Sequence, residues 1–217
     1  MKTYLDLKSW NRQAHFEFYR HFDEPFFGLC VDIDCGRVLQ WCKAQNQSFY
    51  LFYVHKIAQV VNEIESFRYR LEGEQVAVYD EVAMGATVDR ADGSFGFSFI
   101  PFVQDFHEFA RGAEAEFARV RARTDLEPSN GTDNVIHFSA VPWVKFTALS
   151  HARRFSTSDS CPKISVGKVT KVPAFDAAGD LVQKQVMPVS VHGHHALMDG
   201  ADIARFMHRL EVLFAEV

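Results

Sequence analysis

The chain has 217 residues, 47% hydrophobic and 24% charged, with 21 phenylalanines and a formal net charge of −5. That is the length of one ordinary globular domain, 1–217, which buries a core without a staple, and the acidic balance excludes a general nucleic-acid binder. No apolar run approaches the roughly 18 residues of a membrane helix, Met1–Asp6 carries no signal-peptide pattern, and four cysteines without CxxC spacing read as reduced thiols, so the expectation is a cytoplasmic protein with no metal.

Ser9 is placed as the N-cap of a helix from Trp10 to about Tyr19. Phe27 to Ile33 reads as a strand, and a short helix follows at about 37–45. Ser48 is placed as the cap of a longer helix to about Glu63, with Tyr50, Tyr53, Val54, Ile57, Ala58 and Val61 on one stripe. Strand patterns lie at about 67–71, 75–79, 82–89 and 94–101, and Ala91-Asp92-Gly93 turns between the last two. Residues 106–123 predict an amphipathic helix through Phe106, Phe109, Ala110, Ala113, Phe117 and Val120. Its Arg119, Arg121 and Arg123 read as a solvated face, with binding of an anionic cofactor as the alternative.

Pro128–Gly131 is a loop. Strands recur at about 134–140, 144–150, 162–172 and 181–192, with Asp176-Ala177-Ala178-Gly179 turning the last hairpin. A helix over about 200–216 carries Ile203, Phe206, Met207, Leu210, Leu213 and Phe214 at helical spacing. Helices interspersed with mainly antiparallel strands predict an α/β or α+β two-layer sandwich on a mixed, largely antiparallel sheet.

The segment Val191-His192-Gly193-His194-His195-Ala196-Leu197-Met198-Asp199-Gly200 is the densest in chemistry. A strand ends in paired histidines, whose ordinary pKa of about 6.5 is the one nearest neutrality. On that strand His192 and His194 face one side and His195 the other. By themselves these residues allow core histidines, a metal pair without an identifiable third ligand, or a base. Asp199 is equally a helix cap and a support for the site.

His-His-x-x-x-Asp-Gly at 194–200 resembles the active-site signature of chloramphenicol acetyltransferases; HxxxDG alone is shared with other coenzyme-A-dependent acyltransferases. Trp10-Asn11-Arg12-Gln13-Ala14-His15-Phe16-Glu17-Phe18-Tyr19 is similar to that family's WxRxxHFEFY segment, and Phe138-Ser139-Ala140-Val141-Pro142-Trp143-Val144-Lys145-Phe146 to its SALPWVxF segment. The three stand in the family's order across the whole chain.

The resemblance implies the CoA-dependent acyltransferase fold, with helices packed on one side of the sheet, and a homotrimer with active sites at subunit interfaces. It implies transfer of acetyl from acetyl-CoA, a co-substrate, to the 3-hydroxyl of chloramphenicol, conferring antibiotic resistance with no permanently bound cofactor and no acetyl-enzyme. His195 matches the base that takes the hydroxyl proton, a role that typically contributes ~10²–10⁴-fold. Ser139 matches the donor to the oxyanion, worth on the order of 3 kcal/mol. Asp199 and Arg12 match a structural ion pair, and a backbone carbonyl is expected to hold the imidazole tautomer. Phe18, Tyr19, Phe95, Pro25, Leu149 and His151 match walls of the antibiotic site. Ser165 matches a threonine that holds a water, and Tyr50, Pro142, Trp143 and Lys168 fall where the family contacts coenzyme A.

Three positions depart from the family pattern. Asp23 and His151 are polar where leucines are common, and Ser48 replaces a lysine used near the cofactor phosphates. Two alternatives follow: an O-acetyltransferase for another hydroxylated acceptor, or a non-catalytic ligand-binding relative. Retention of His195 and Ser139 counts against the second, because binding needs no base.

Overall fold

A computed structural model describes residues 1–126, 133–153 and 159–217. The chain runs β1 (Lys2–Tyr4), α1 (Gln13–Tyr19), β2 (Phe26–Asp34), α2 (Gly36–Ala44), α3 (Phe49–Glu63), a 3-10 turn (Glu65–Arg68), β3 (Tyr69–Glu72), β4 (Gln75–Tyr79), β5 (Ala83–Asp89) and β6 (Phe95–Phe97). It continues as α4 (Phe106–Arg121), β7 (Val135–Val141), β8 (Lys163–Gly167), β9 (Thr170–Phe175), β10 (Leu181–His194) and α5 (Gly200–Ala215). The predicted loop at Pro128–Gly131 lies outside the described residues.

The main sheet has the order β2-β10-β8-β7-β5-β6, with β9 on β10 as well, and β1-β4-β3 form a smaller sheet. β7 runs parallel to both β5 and β8, while the other pairs are antiparallel. Alternation along the strands decides which face is covered. Met187, Val189 and Val191 of β10, Ile164 and Val166 of β8, and Ile136 and Phe138 of β7 share one core with apolar residues of α2, α3, α4 and α5. The intervening residues form polar rows on the opposite face. Ser139, Ser165, Ser190 and Cys30 are in register across four strands, and His137, Lys163, His192 and Gly28 form the next row. The expected two-layer sandwich, mixed sheet and one-sided helices are all present.

Several boundaries differ from expectation. α1 begins at Gln13 and has no side-chain cap. The Ser9 hydroxyl instead bonds the Asp6 carboxylate at 3.0 Å, because Asp6 closes its own turn by accepting from Lys8 N–H. Ser48 does cap α3, accepting from Leu51 N–H at 3.3 Å. Residues 144–150 are not a strand. β7 already has partners on both sides, so the segment has no edge to join. It crosses the polar face instead: the Phe146 ring lies where a Cβ on Gly167 would sit, at 2.8 Å.

The predicted strand at 162–172 carries a bulge. Val166 pairs with Val189 and Thr170 with Val186, so Lys168 and Val169 together oppose Met187. The following hairpin turns at Gly179, with φ of +86°, where a Cβ would be strained. Among the described residues no helix is long and apolar enough to cross a membrane.

Candidate active site

β10 delivers the histidines to its own end. The ladder with β2 continues one residue past the strand, where His195 N–H bonds the Pro25 carbonyl at 2.8 Å. The chain then turns sharply, with Leu197 and Met198 N–H both donating to the His194 carbonyl at 2.8 and 3.1 Å. Gly193 is needed for this turn, since a Cβ there would fall 2.0 Å from Met198 Sδ.

The two histidines diverge in environment. His194 is buried against the edge of Phe26, and its Nδ1 accepts from Ala196 N–H at 3.2 Å. Burial pushes its pKa down to about 4, so it is neutral at pH 7. His195, on the other side as expected, is half-buried. Its ring stacks on Tyr19 at 4.1 Å and 5° between planes, and meets Phe27 at 4.5 Å. His195 Nδ1 is buried with no hydrogen-bond partner among the described residues. The ring is therefore held by aromatic contact rather than by the expected carbonyl. Phe27 had no sequence signal beyond its place in a strand.

Arg12 ties this turn to the N-terminal segment. One guanidinium nitrogen donates to the His195 carbonyl at 3.2 Å and the other to Asp199 Oδ2. The other Asp199 oxygen caps α5, accepting from Ala201 N–H at 2.9 Å, and Asp202 accepts from Asp199 N–H at 2.8 Å to complete a capping box. Burial raises the Asp199 pKa, but the Ala201 N–H and the Arg12 charge outweigh it and hold the carboxyl below its ordinary range. Cap and ion pair thus coexist, and the carboxylate is bonded to Arg12 and backbone rather than to the imidazole. Phe16 of α1 packs with Ala196 and Leu197 in a second small core, which fixes the helix against the turn.

A cleft of about 760 Å³ opens between α3, α4 and the bulged strand, and Tyr50, Pro142, Trp143 and Lys168 all line it. The bulge turns Lys168 toward the cleft, while Lys168 N–H bonds the Val144 carbonyl at 3.0 Å. Burial pushes the Tyr50 phenol up to about 12, and Trp143 is exposed. The arginine cluster divides. Arg119 pairs with Glu116 at 2.6 Å and Arg123 with Asp125 at 2.8 Å, whereas Arg121 lines the cleft.

The remaining predicted residues are spread over the sheet. Leu149 and His151 lie on the polar face, where the His151 ring meets His192 edge-on at 4.9 Å. His192 in turn packs over Gly28, 2.4 Å from where a Cβ would stand. Glu24, Phe26, Gly28, His151, Lys163 and His192 line a pocket of about 230 Å³. Burial lowers the His151 pKa to about 4, and its Nε2 is buried with no hydrogen-bond partner among the described residues. Ser165 is fully buried in the serine row, and its hydroxyl has no hydrogen-bond partner among the described residues either. Asp23 is exposed.

Phe18 is 62% exposed beside Tyr19, at 5.0 Å between rings, and Phe95 is exposed on β6 at the far side of the sheet. Ser139 is two strands from β10 and level with Ser190, five residues before His195. At ~4.8 Å between strands and ~3.4 Å per residue, Ser139 and His195 are about 19 Å apart within one chain.

The fold is that of acetyltransferase cores. The dihydrolipoamide acetyltransferase of Azotobacter vinelandii shares it with a TM-score of 0.72 at 19% identity, over 94% of this chain and 86% of that one. The family model for chloramphenicol acetyltransferase matches residues 1–211, and the chain belongs to that family. It is 30% identical to chloramphenicol acetyltransferase 3 of Escherichia coli over 97% of this chain and 96% of the relative. The chloramphenicol acetyltransferase of Proteus mirabilis is 24% identical, with 95% and 92% covered. A solved chloramphenicol acetyltransferase superposes with a TM-score of 0.86 at 27% identity, covering 99% of this chain and 100% of its own.

Proposed function

We propose that this protein is a cytoplasmic chloramphenicol O-acetyltransferase that confers antibiotic resistance, with His195 as its general base. The observation that carries the reading is the His195 imidazole, half-exposed, stacked on Tyr19 at 4.1 Å and tied through its backbone to Pro25 and Arg12. Acetyl-CoA occupies the cleft lined by Tyr50, Pro142, Trp143 and Lys168. The antibiotic's 3-hydroxyl attacks the thioester carbonyl as His195 takes its proton. An alcohol is a poor nucleophile until that proton leaves. Ser139 donates to the oxyanion of the tetrahedral intermediate. Collapse expels the CoA thiolate, which accepts the proton from the imidazolium, leaving the 3-O-acetyl ester and CoA. Ser165, whose buried hydroxyl has no partner among the described residues, holds a water beside the reacting atoms.

His195 and Ser139, about 19 Å apart in one chain, cannot serve one reaction there. The active unit is a homotrimer in which His195 of one subunit meets Ser139, Phe95, Leu149 and His151 of its neighbour. Exposed Phe18 and Phe22 beside Tyr19 support a covered surface at this point.

A second reading keeps the chemistry and changes the acceptor. Its basis is the pocket holding His151, His192 and Lys163, which is polar where an antibiotic with an apolar body asks for apolar walls. Thiol release from acetyl-CoA with chloramphenicol, and with other hydroxylated acceptors, decides between them. The first reading expects chloramphenicol-dependent release that His195→Ala abolishes. Release only with another alcohol favours the second. Tight chloramphenicol binding with no release by any acceptor overturns both in favour of a ligand binder.

A further inference from the structure

In this family a lysine near the cofactor phosphates is expected where this chain has Ser48, and the Ser48 hydroxyl is already committed to Leu51 N–H as the cap of α3. The cleft nevertheless contains two cations from other elements. Lys168 arrives on the bulge between β8 and β9, and Arg121 on the last turn of α4. Glu114, Phe117 and Arg121 stand at i, i+3 and i+7, so one face of α4 lines the cleft and ends in the guanidinium. Arg119, on another face of the helix, and Arg123, beyond its C-terminal end, are held by Glu116 and Asp125. Arg121 forms no ion pair among the described residues and lies 5.9 Å over the Phe117 ring. Lys168 likewise has none, and the two carboxylates lining the cleft, Asp89 and Glu114, pair with neither cation. The N-terminus of α3, at Ser48, faces the same cleft and adds partial positive charge.

We propose that Arg121 is the chief phosphate-binding residue of this cleft, holding a phosphate of coenzyme A together with Lys168 in place of the lysine absent at Ser48. The planar guanidinium can grip two oxygens of one phosphate, which an ammonium cannot. This rests on the acyl-CoA reading of the cleft given above.

The test is calorimetric binding of coenzyme A and of 3′-dephospho-coenzyme A to the whole protein at low salt, with thiol release measured alongside. Arg121 is exposed, so its replacement leaves the core intact. Arg121→Gln is expected to weaken coenzyme A about tenfold, and Arg121→Lys, which keeps the charge but not the two-oxygen grip, to recover only part of that loss. The Arg121→Gln deficit is expected to shrink as salt rises. If the dephospho compound binds both forms alike, the contact is to the 3′-phosphate; if the deficit persists with it, the contact is to the pyrophosphate. Either result supports the proposal. Coenzyme A binding unchanged within twofold in Arg121→Gln, by a wild type that turns over, overturns the assignment alone. A wild type that neither binds coenzyme A nor releases thiol overturns the function as well.

Discussion

Asp199 performs two tasks with separate oxygens, and two substitutions separate them. Asp199→Asn retains an N-cap acceptor of nearly equal quality but loses the charge facing Arg12, whereas Asp199→Ala loses both. The Arg12 side chain is 17% exposed and that of Asp199 38%. Solvent screening at the carboxylate puts the lost ion pair at about 1 kcal/mol. The lost cap adds about another 1 kcal/mol. For a chain of this length each step lowers the melting temperature by about 2–4 °C. Loosening the Arg12 clamp on the His195 carbonyl also displaces the base, and kcat is expected to fall by roughly tenfold or more in both variants. Because the Asp199 carboxylate bonds Arg12 and backbone, the acid limb of the kcat/KM profile is expected to stay where it is. Thermal unfolding and thiol release from pH 5 to 8 measure both quantities. An acid limb moved by about one unit in Asp199→Asn, the 1.36 kcal/mol of a direct carboxylate–imidazole coupling, refutes this division of labour. So does a melting temperature equal to that of Asp199→Ala.

Three further outcomes are expected. Ser139→Ala lowers kcat by about 10²–10³, but mixing its subunits with those of His195→Ala by joint refolding restores about one quarter of the sites, each built from one intact residue of either parent; no recovery at all would locate both residues in one subunit. His194 keeps a pKa of about 4 when folded, so the unfolded chain takes a proton that the folded one refuses between about 6.5 and 4, and stability falls as pH drops through that window by about 3 kcal/mol; urea titrations in which His194→Asn leaves that slope unchanged contradict it. Gly193→Ala drives a Cβ into the buried Met198 side chain and is expected to cost about 1–3 kcal/mol, which a thermal melt equal to wild type would disprove.

The long elements were legible because their apolar period is long. α3, α4 and α5 match their predicted stripes, and the Ser48 cap is where its spacing places it. The misses have local causes. β1 has only three residues, all exposed, and depends on β4 for its existence. The segment 144–150 alternates like a strand, but whether an edge is free is a property of the sheet. The bulge at Lys168–Val169 changes register by one residue without changing composition. In the site, Arg12, Tyr19, Asp199 and His195 were legible as motif residues, and the structure brings them together. Arg121 was read with its helix neighbours as solvated, because nothing in a run of arginines says which one faces a cleft. Phe27 carries no motif, and only the end of the β10 ladder brings it to the imidazole.

β10 lies inside the sheet, second from its edge, with β2 on one side and β8 and β9 on the other, yet it is the last strand to be made. During synthesis β2 waits unpaired through most of the chain's translation, and β8 keeps a bare edge until β10 follows it. Such edges invite pairing with other chains, and such distant contacts form slowly. A message cut short before residue 181 leaves β2 without a partner beside a β8-β7-β5-β6 sheet and lacks the His195 turn altogether. The nascent chain accordingly carries these open edges until β10 emerges, at about 5–20 residues per second.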